Sequence, residues 1–238
     1  MRLVFDHIEG LGKITEGDFI HAPALMYEVE DSQISNMMAQ GWAVDEWYLP
    51  RRMYQARHVR LRVPANLGSP KMPEGLKFTH ECDPDIDELV RVYEIYKAHK
   101  GFSDHLPIQE TYDKVDRDHK SAIMFYKDSV LIGFTLLRLH SPALESMQFC
   151  WDYAEPKLRL GYLSQDVEFY LAKQSYCTHV YIGPGYEQAC YYKSRLPGFE
   201  WWTGEEWSTD KELYRKLIAR DSEIQTLTQA MVPHDPAT

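Results

Sequence analysis

The segment SAIMFYKDSVLIGFTLLRL, residues 121–139, constrains this chain more than any other. Two apolar runs of strand length flank Lys127-Asp128-Ser129, a turn too short for a crossover, so the strands pair antiparallel. ESMQFCWDY, residues 145–153, adds a third strand, and AEPKLRLG reads as the loop after it. LGYLSQDVEFYLAKQ then repeats apolar residues at helical spacing, with Leu160, Leu163, Val167, Tyr170 and Leu171 on one face. THVYIG is a continuous apolar strand of the kind found inside a sheet. A meander followed by helix and strand predicts a mixed α/β (α+β) architecture with a right-handed crossover.

The flanks extend this order. In CDPDIDELVRVYEIYKAHKG, Asp83 is the expected cap, Pro84 the first helical residue, and Lys97, His99 and Lys100 the last turn before Gly101. Ile86, Leu89, Val90, Tyr93 and Tyr96 form its apolar stripe, and LPIQETYDKV predicts a second, shorter helix. Thr209 and Glu212 suggest a capping box for a final helix with Leu213, Leu217 and Ile224 facing inward. Before all this, residues 1–75 read as a small α/β subdomain. LVFDHIEGLGKI is a strand and turn, and DSQISNMMAQG is a helix capped by Asp31 or Ser32, with Ile34, Met37 and Met38 inward and Gly41 ending it. WAVDEWYLP and ARHVRLRVP are strands on either side of a basic turn. NLGSPKMPEGL, rich in Gly and Pro, is the expected linker to a second domain at 76–238.

Several functions are disfavoured. The 238 residues carry a formal net charge of −10, which argues against a protein coated in nucleic acid but leaves room for a local basic patch. RRMYQARHVRLR, residues 51–62, is that patch: five Arg, a His and no acid, readable either as an RNA-binding surface through Arg51, Arg52 and Arg57 or as an edge strand with a solvated face. The four Cys are scattered and the ten His form no ligand spacing, so reduced thiols and no metal are expected. The longest apolar run is too short to span a membrane. The opening MRLVFDHIEG lacks the basic-then-apolar order of a signal peptide, and a cytoplasmic location is expected.

YIGPGYEQACYYKSRLPGFEWW, residues 181–202, is the densest stretch of chemistry. A strand runs into Gly183 and Gly185, then Cys190, three Tyr, Lys193, Arg195 and a Trp pair. Tyr181, Tyr186 and Tyr192 suit a pocket for an aminoacyl group or a stacked base, with core packing as the plainer reading. Lys193 and Arg195 suit phosphates, or a solvated helix end. Asp152 and Glu187 are the carboxylates placed for proton handling, with turn cap and solvated helix start as alternatives. Cys190 lacks a local His signature and reads as packing.

The element order is that of the GNAT acyltransferases, and the motifs resemble one group more closely. Tyr93 and Tyr96, Val130-Leu131-Ile132-Gly133, Trp151-Asp152-Tyr153 with Pro156, Leu160-Gly161, and Tyr181-x-Gly183 followed by Cys190, Tyr192, Lys193 and Pro197 resemble the aminoacyl-tRNA–protein transferases, the arginyl and leucyl enzymes. GWAVDEWYLP is similar to that family's N-terminal strand, although the cysteine cluster that follows it there is replaced here by the basic segment. The resemblance implies a GNAT-like fold and an aminoacyl group moved from charged tRNA to an amine acceptor. That acceptor is a small molecule or peptide in a biosynthetic pathway, or a protein N-terminus.

No cofactor is implied beyond the charged tRNA. Backbone N–H groups near Trp151 would polarise the ester carbonyl, and the helix start at Leu160-Gly161 would face a donor phosphate. Asp152, Glu187 and Tyr192 are the catalytic candidates. Acyl-CoA enzymes instead carry Gln or Arg, two residues, Gly, one residue, then Gly or Ala; here Leu158, Gly161 and Leu163 keep only the middle glycine. An acyl-CoA N-acetyltransferase and a non-catalytic binding module are the alternative readings.

Overall fold

The structure is a computed structural model that describes residues 26–45, 52–55, 57–101, 120–185 and 188–221. The expected elements at 3–14 and 106–115, with Tyr186, Glu187, Arg51 and Ile224, lie outside the described residues. The fold is mixed α/β. By contact density the chain forms two units, residues 1–62 with 181–238, and residues 63–180. The expected boundary at 75/76 coincides with neither junction.

The unit 63–180 is built on the meander. β5 (Leu76–Glu81), β6 (Lys120–Lys127), β7 (Val130–His140) and β8 (Ala143–Trp151) pair antiparallel in the order β8-β7-β6-β5. The β6–β7 turn is as short as expected because Asp128 and Ser129 both take left-handed backbone, φ 50° and 68°, matching the twist of the hairpin. α2 (Ile86–Lys100) packs Leu89, Val92 and Tyr93 against Ala122, Met124, Phe134, Leu136 and Cys150, with Ile86, Val90 and Tyr96 at the margin. Its cap is Asp85 rather than Asp83. The Asp85 carboxylate accepts the Asp87 N–H at 3.0 Å, and Pro84 stands before the helix instead of opening it. Gly101 closes α2 in left-handed conformation, as expected.

α3 (Leu160–Gln174) follows a 3-10 turn at Pro156–Leu158. Its buried face differs from the expected stripe. Leu160 and Val167 are buried, but so are Ser164, Gln165 and Glu168, while Leu163, Tyr170 and Leu171 are half-buried. The polar residues can face inward because they bond to one another, as described below.

The other unit holds a three-stranded antiparallel sheet, β1 (Met26–Glu28), β3 (Arg52–Gln55) and β2 (Trp42–Asp45), with β3 central. β4 (His58–Arg62) lies within the expected strand ARHVRLRVP, whereas the basic turn expected before it is taken up by β3. α1 (Asp31–Ala39) buries Ile34 and Met38, with Met37 half-buried. Neither Asp31 nor Ser32 caps it; the cap position is Glu30, whose side chain makes no capping bond. β9 (His179–Pro184) ends in this unit, where β4 pairs antiparallel with β10 (Phe199–Trp202) and β10 with β11 (Trp207–Ser208). α4 (Lys211–Asp221) is capped by Asp210, not Thr209. Its carboxylate oxygen accepts the N–H groups of Glu212 and Leu213, both at 3.0 Å. Tyr214, Leu217 and Ile218 are its buried residues, and Leu213 is half-buried.

Candidate active site

Within the unit 63–180, the candidate donor edge lies at the end of β8 and the start of α3. Trp151 is buried, and the Asp152 N–H donates to the Ile132 carbonyl at 2.8 Å, carrying the β7–β8 ladder to its last rung. The Asp152 carboxylate accepts the Ala154 N–H at 2.9 Å, so it turns the chain out of the strand, which is the turn-cap role. Gly133 explains how α3 comes so near. A Cβ there would lie 2.6 Å from Leu160 Cδ2 and 3.0 Å from Trp151 Cβ, so a glycine at this point of β7 lets the helix start settle onto the sheet.

The first turn of α3 buries Leu160 but exposes Gly161 and Tyr162, and it carries no acid. Arg159 precedes it in left-handed conformation, its side chain makes no capping bond, and no acid stands in the turn. Lys157 and Arg159 are exposed beside it, and so is Gly161. A Cβ on Gly161 would meet only Phe149 Cε1, at 3.6 Å, an ordinary contact. The fold thus has room for a side chain at Gly161, and a glycine there costs helix stability without a packing reason.

Two turns further on, α3 carries a buried network that the sequence reading missed. The Ser164 hydroxyl donates to Glu168 Oε1 at 2.8 Å and meets the Thr135 hydroxyl at 2.7 Å, and Gln165 donates to Glu168 Oε2 at 3.4 Å. Glu168 is 4% exposed. Burial pushes its carboxyl up to about 7, against the lowering effect of hydrogen bonds from Ser164, Ser146 and Thr135. Through Ser164 and Thr135 it ties α3 to the meander. The spacing Ser164-x-x-x-Glu168 on one helical face was the available signal.

The other unit gathers the conspicuous residues of 181–202 with the basic segment. Arg60 and Glu200 are cross-strand partners in the β4–β10 ladder. Arg60 Nε donates to Glu200 Oε2 at 2.7 Å, and Arg62 donates to Oε1 through Nε at 2.9 Å and Nη2 at 2.6 Å. Burial acts to raise the Glu200 carboxyl, but the bonds from Arg62 and Arg60 outweigh it and hold it below its ordinary value. The Arg60 guanidinium also lies 3.9 Å from the centroid of the Trp207 ring. Arg57 is fully buried, and its Nη1 donates to the Gly185 carbonyl at 3.3 Å. Arg52 sits in β3. The basic segment is therefore committed largely to its own unit.

Lys193 behaves similarly. It is 7% exposed, and its ammonium donates to the carbonyls of Ile182 at 2.7 Å and Gly183 at 3.5 Å, clamping the end of β9. Gly183 there has φ 76°, a backbone suited to glycine. At Gly185 a Cβ would fall 2.1 Å from the buried Tyr214 hydroxyl. Tyr181 is buried against His58 and Trp207, ring centroids 5.1 and 5.8 Å away, and burial raises its phenol. Tyr192 and Arg195 are exposed, and Cys190 lies partly buried in the 3-10 segment Gln188–Arg195.

Among the described residues, no group of three or more His, Cys, Asp or Glu could hold a metal, and no helix is long and apolar enough to cross a membrane. The described cysteines are all free thiols.

No protein-family model and no curated protein matches the chain, so the resemblance to the aminoacyl-tRNA–protein transferases rests on the motif residues alone. Solved structures with a similar course of elements include FemX, at 8% identity and a TM-score of 0.45, over 64% of this chain and 59% of that one. L-PGS from Bacillus licheniformis aligns at 12% identity and 0.42, over 66% and 51%. A GCN5-related N-acetyltransferase from Kribbella flavida aligns at 14% and 0.37, over 64% and 54%. The chain thus spans about half to three-fifths of each. Scores below 0.5 say nothing of donor or acceptor.

Proposed function

We propose that this chain is an aminoacyltransferase that moves an aminoacyl group from charged tRNA to an amine acceptor. The observation that carries the reading is the start of α3. A helix N-terminus, preceded by two cations and free of acids, presents the exposed Gly161 where the protein itself does not need a glycine. That combination suits a backbone-bound phosphate approaching closely. The broken acyl-CoA pattern at Leu158 and Leu163, with the Tyr181-to-Lys193 motif, favours tRNA over CoA as its source.

In the reaction the acceptor amine attacks the ester carbonyl; the new C–N bond forms as the C–O bond to the ribose breaks, and the amine proton passes to the ribose oxygen or to solvent. The ester is already activated, so no cofactor is required. Trp151 shapes the donor edge, and Asp152, whose carboxylate also turns the chain out of β8, is the proton-handling candidate of this unit. The acceptor is a small molecule or peptide of a biosynthetic pathway, or else a protein N-terminus.

The test supplies the protein with total tRNA charged with labelled amino acids, together with candidate amines. RNase-sensitive formation of a labelled amide is expected. Transfer that survives RNase and needs an acyl-CoA would replace this reading with the N-acetyltransferase one, and no transfer from either donor would leave a binding module.

A further inference from the structure

An aromatic stack stands at the end of β8 and the last turn of α2, and the rings of Tyr153 and His99 in it have no part in the interactions above. Trp151 ends β8, and Tyr153 follows it in the turn with its ring against the Trp151 ring. Their ring centroids are 4.2 Å apart, and the Asp152 turn fixes the direction of Tyr153. On Tyr153 lies the imidazole of His99, 3.9 Å away and within 9° of parallel. Tyr96 lies 6.1 Å from Tyr153, and the Lys100 ammonium sits 5.4 Å from the Tyr153 ring and 5.7 Å from Tyr96. Trp151 is buried and Tyr153 half-buried, while His99 and Lys100 are exposed.

A fold does not need an exposed helix-end histidine laid flat on a tyrosine. The spacing is that of a stacked base, and an exposed imidazole can swing to solvent at little cost. The Lys100 ammonium lies over the rings of Tyr153 and Tyr96, whereas that of Lys97 lies 3.7 Å from Glu94 Oε2. We infer that Tyr153 is the stacking floor for the adenine of an adenine nucleotide, that His99 holds its place in the free protein, and that Lys100 meets the phosphate. The inference deepens the donor reading above and rests on it for the class of ligand. Both the terminal adenosine of a tRNA and the adenosine of coenzyme A offer this chemistry.

Calorimetric titration of the full chain with adenosine 5′-monophosphate, and with inorganic phosphate as control, tests the platform. Tyr153→Ala should weaken adenylate binding about tenfold and Tyr153→Phe should restore it. His99→Ala should tighten binding about threefold, because no ring has to leave first. A merely structural histidine would not show that opposite sign. Equal affinity in wild type and Tyr153→Ala, no adenylate binding at millimolar ligand, or weaker binding in His99→Ala would each overturn the inference. Parallel titrations use a short RNA ending in adenosine and coenzyme A. Tyr153-dependent binding of the RNA names tRNA as the source. Tyr153-dependent binding of coenzyme A alone keeps the platform while removing the tRNA donor. RNase-sensitive transfer is read separately, so the platform and the transferase reading can fail independently.

Discussion

β4 and the start of α3 both looked, in sequence, like places to meet a polyanion, and they differ in what answers their charge. In β4, Arg60 and Arg62 converge on one buried carboxylate and Arg60 covers Trp207. At α3 the charge is partial, borne by backbone N–H groups, with Lys157 and Arg159 exposed beside it and no internal anion in the turn. A run of arginines is thus weak evidence of a nucleic-acid surface when an acid across the sheet consumes it. A helix start whose preceding side chain makes no capping bond, and whose first bonds to the Arg159 carbonyl come only from Tyr162 and Leu163, is stronger evidence.

The largest effect should come from breaking β4's side of that contrast. Glu200→Ala leaves two guanidinium groups facing each other without their anion, and should cost about 3 kcal/mol in urea unfolding. Arg62→Ala should cost under about 1 kcal/mol, because that side chain is 67% exposed. Equal costs would mean that the pair is not organised around Glu200.

A comparable effect sharpens α3's side. Glu168 has its folded value raised from 4.5 to about 7, so the folded state holds a proton that the unfolded chain releases. The resulting stability is fully present below about 4.5 and is lost as pH rises to about 7, a change of about 3 kcal/mol. Glu168→Gln should flatten that slope in chemical unfolding followed from pH 4.5 to 8. An unchanged slope would place the titration on another group.

This network also shows where the sequence stopped being legible. The meander, α2 and the extent of α3 follow from local period and turn chemistry, and all lie where expected. The inward face of α3 does not, because an apolar stripe ignores Ser164 and Glu168, which become buriable only when Thr135 on β7 supplies a partner. The fate of Arg60 and Arg62 was hidden for the same reason: Glu200 lies far along the chain. Asp85 and Asp210 cap where Asp83 and Thr209 were expected, since several capping residues stand side by side and only the backbone path chooses among them. At the candidate donor edge, Gly161 was readable as a residue but not as a dispensable glycine; that needed the open space around it.

A smaller effect tests the cations beside α3. Lys157→Ala with Arg159→Ala should leave folding intact, weaken charged-tRNA binding, and lower the salt slope of log affinity by about 1 to 2. Arg57→Ala is a poor control, since it opens a buried site. Arg195→Ala, on an exposed residue of the other unit, is the better one, and an equal loss there would mean that the effect belongs to surface charge in general and not to α3.

The smallest effect separates the meanings of Gly161 most cleanly. If that glycine served the fold, Gly161→Ala would destabilise the protein. The 3.6 Å gap to Phe149 predicts the reverse: a helix-favouring residue in the first turn, worth about 0.5–1 kcal/mol and visible as a raised melting temperature. Donor affinity should fall in the same variant, because the added methyl stands where the phosphate approaches the backbone. Stability gained with donor binding intact would leave α3 an ordinary helix start, and the contrast with β4 would lose its functional meaning.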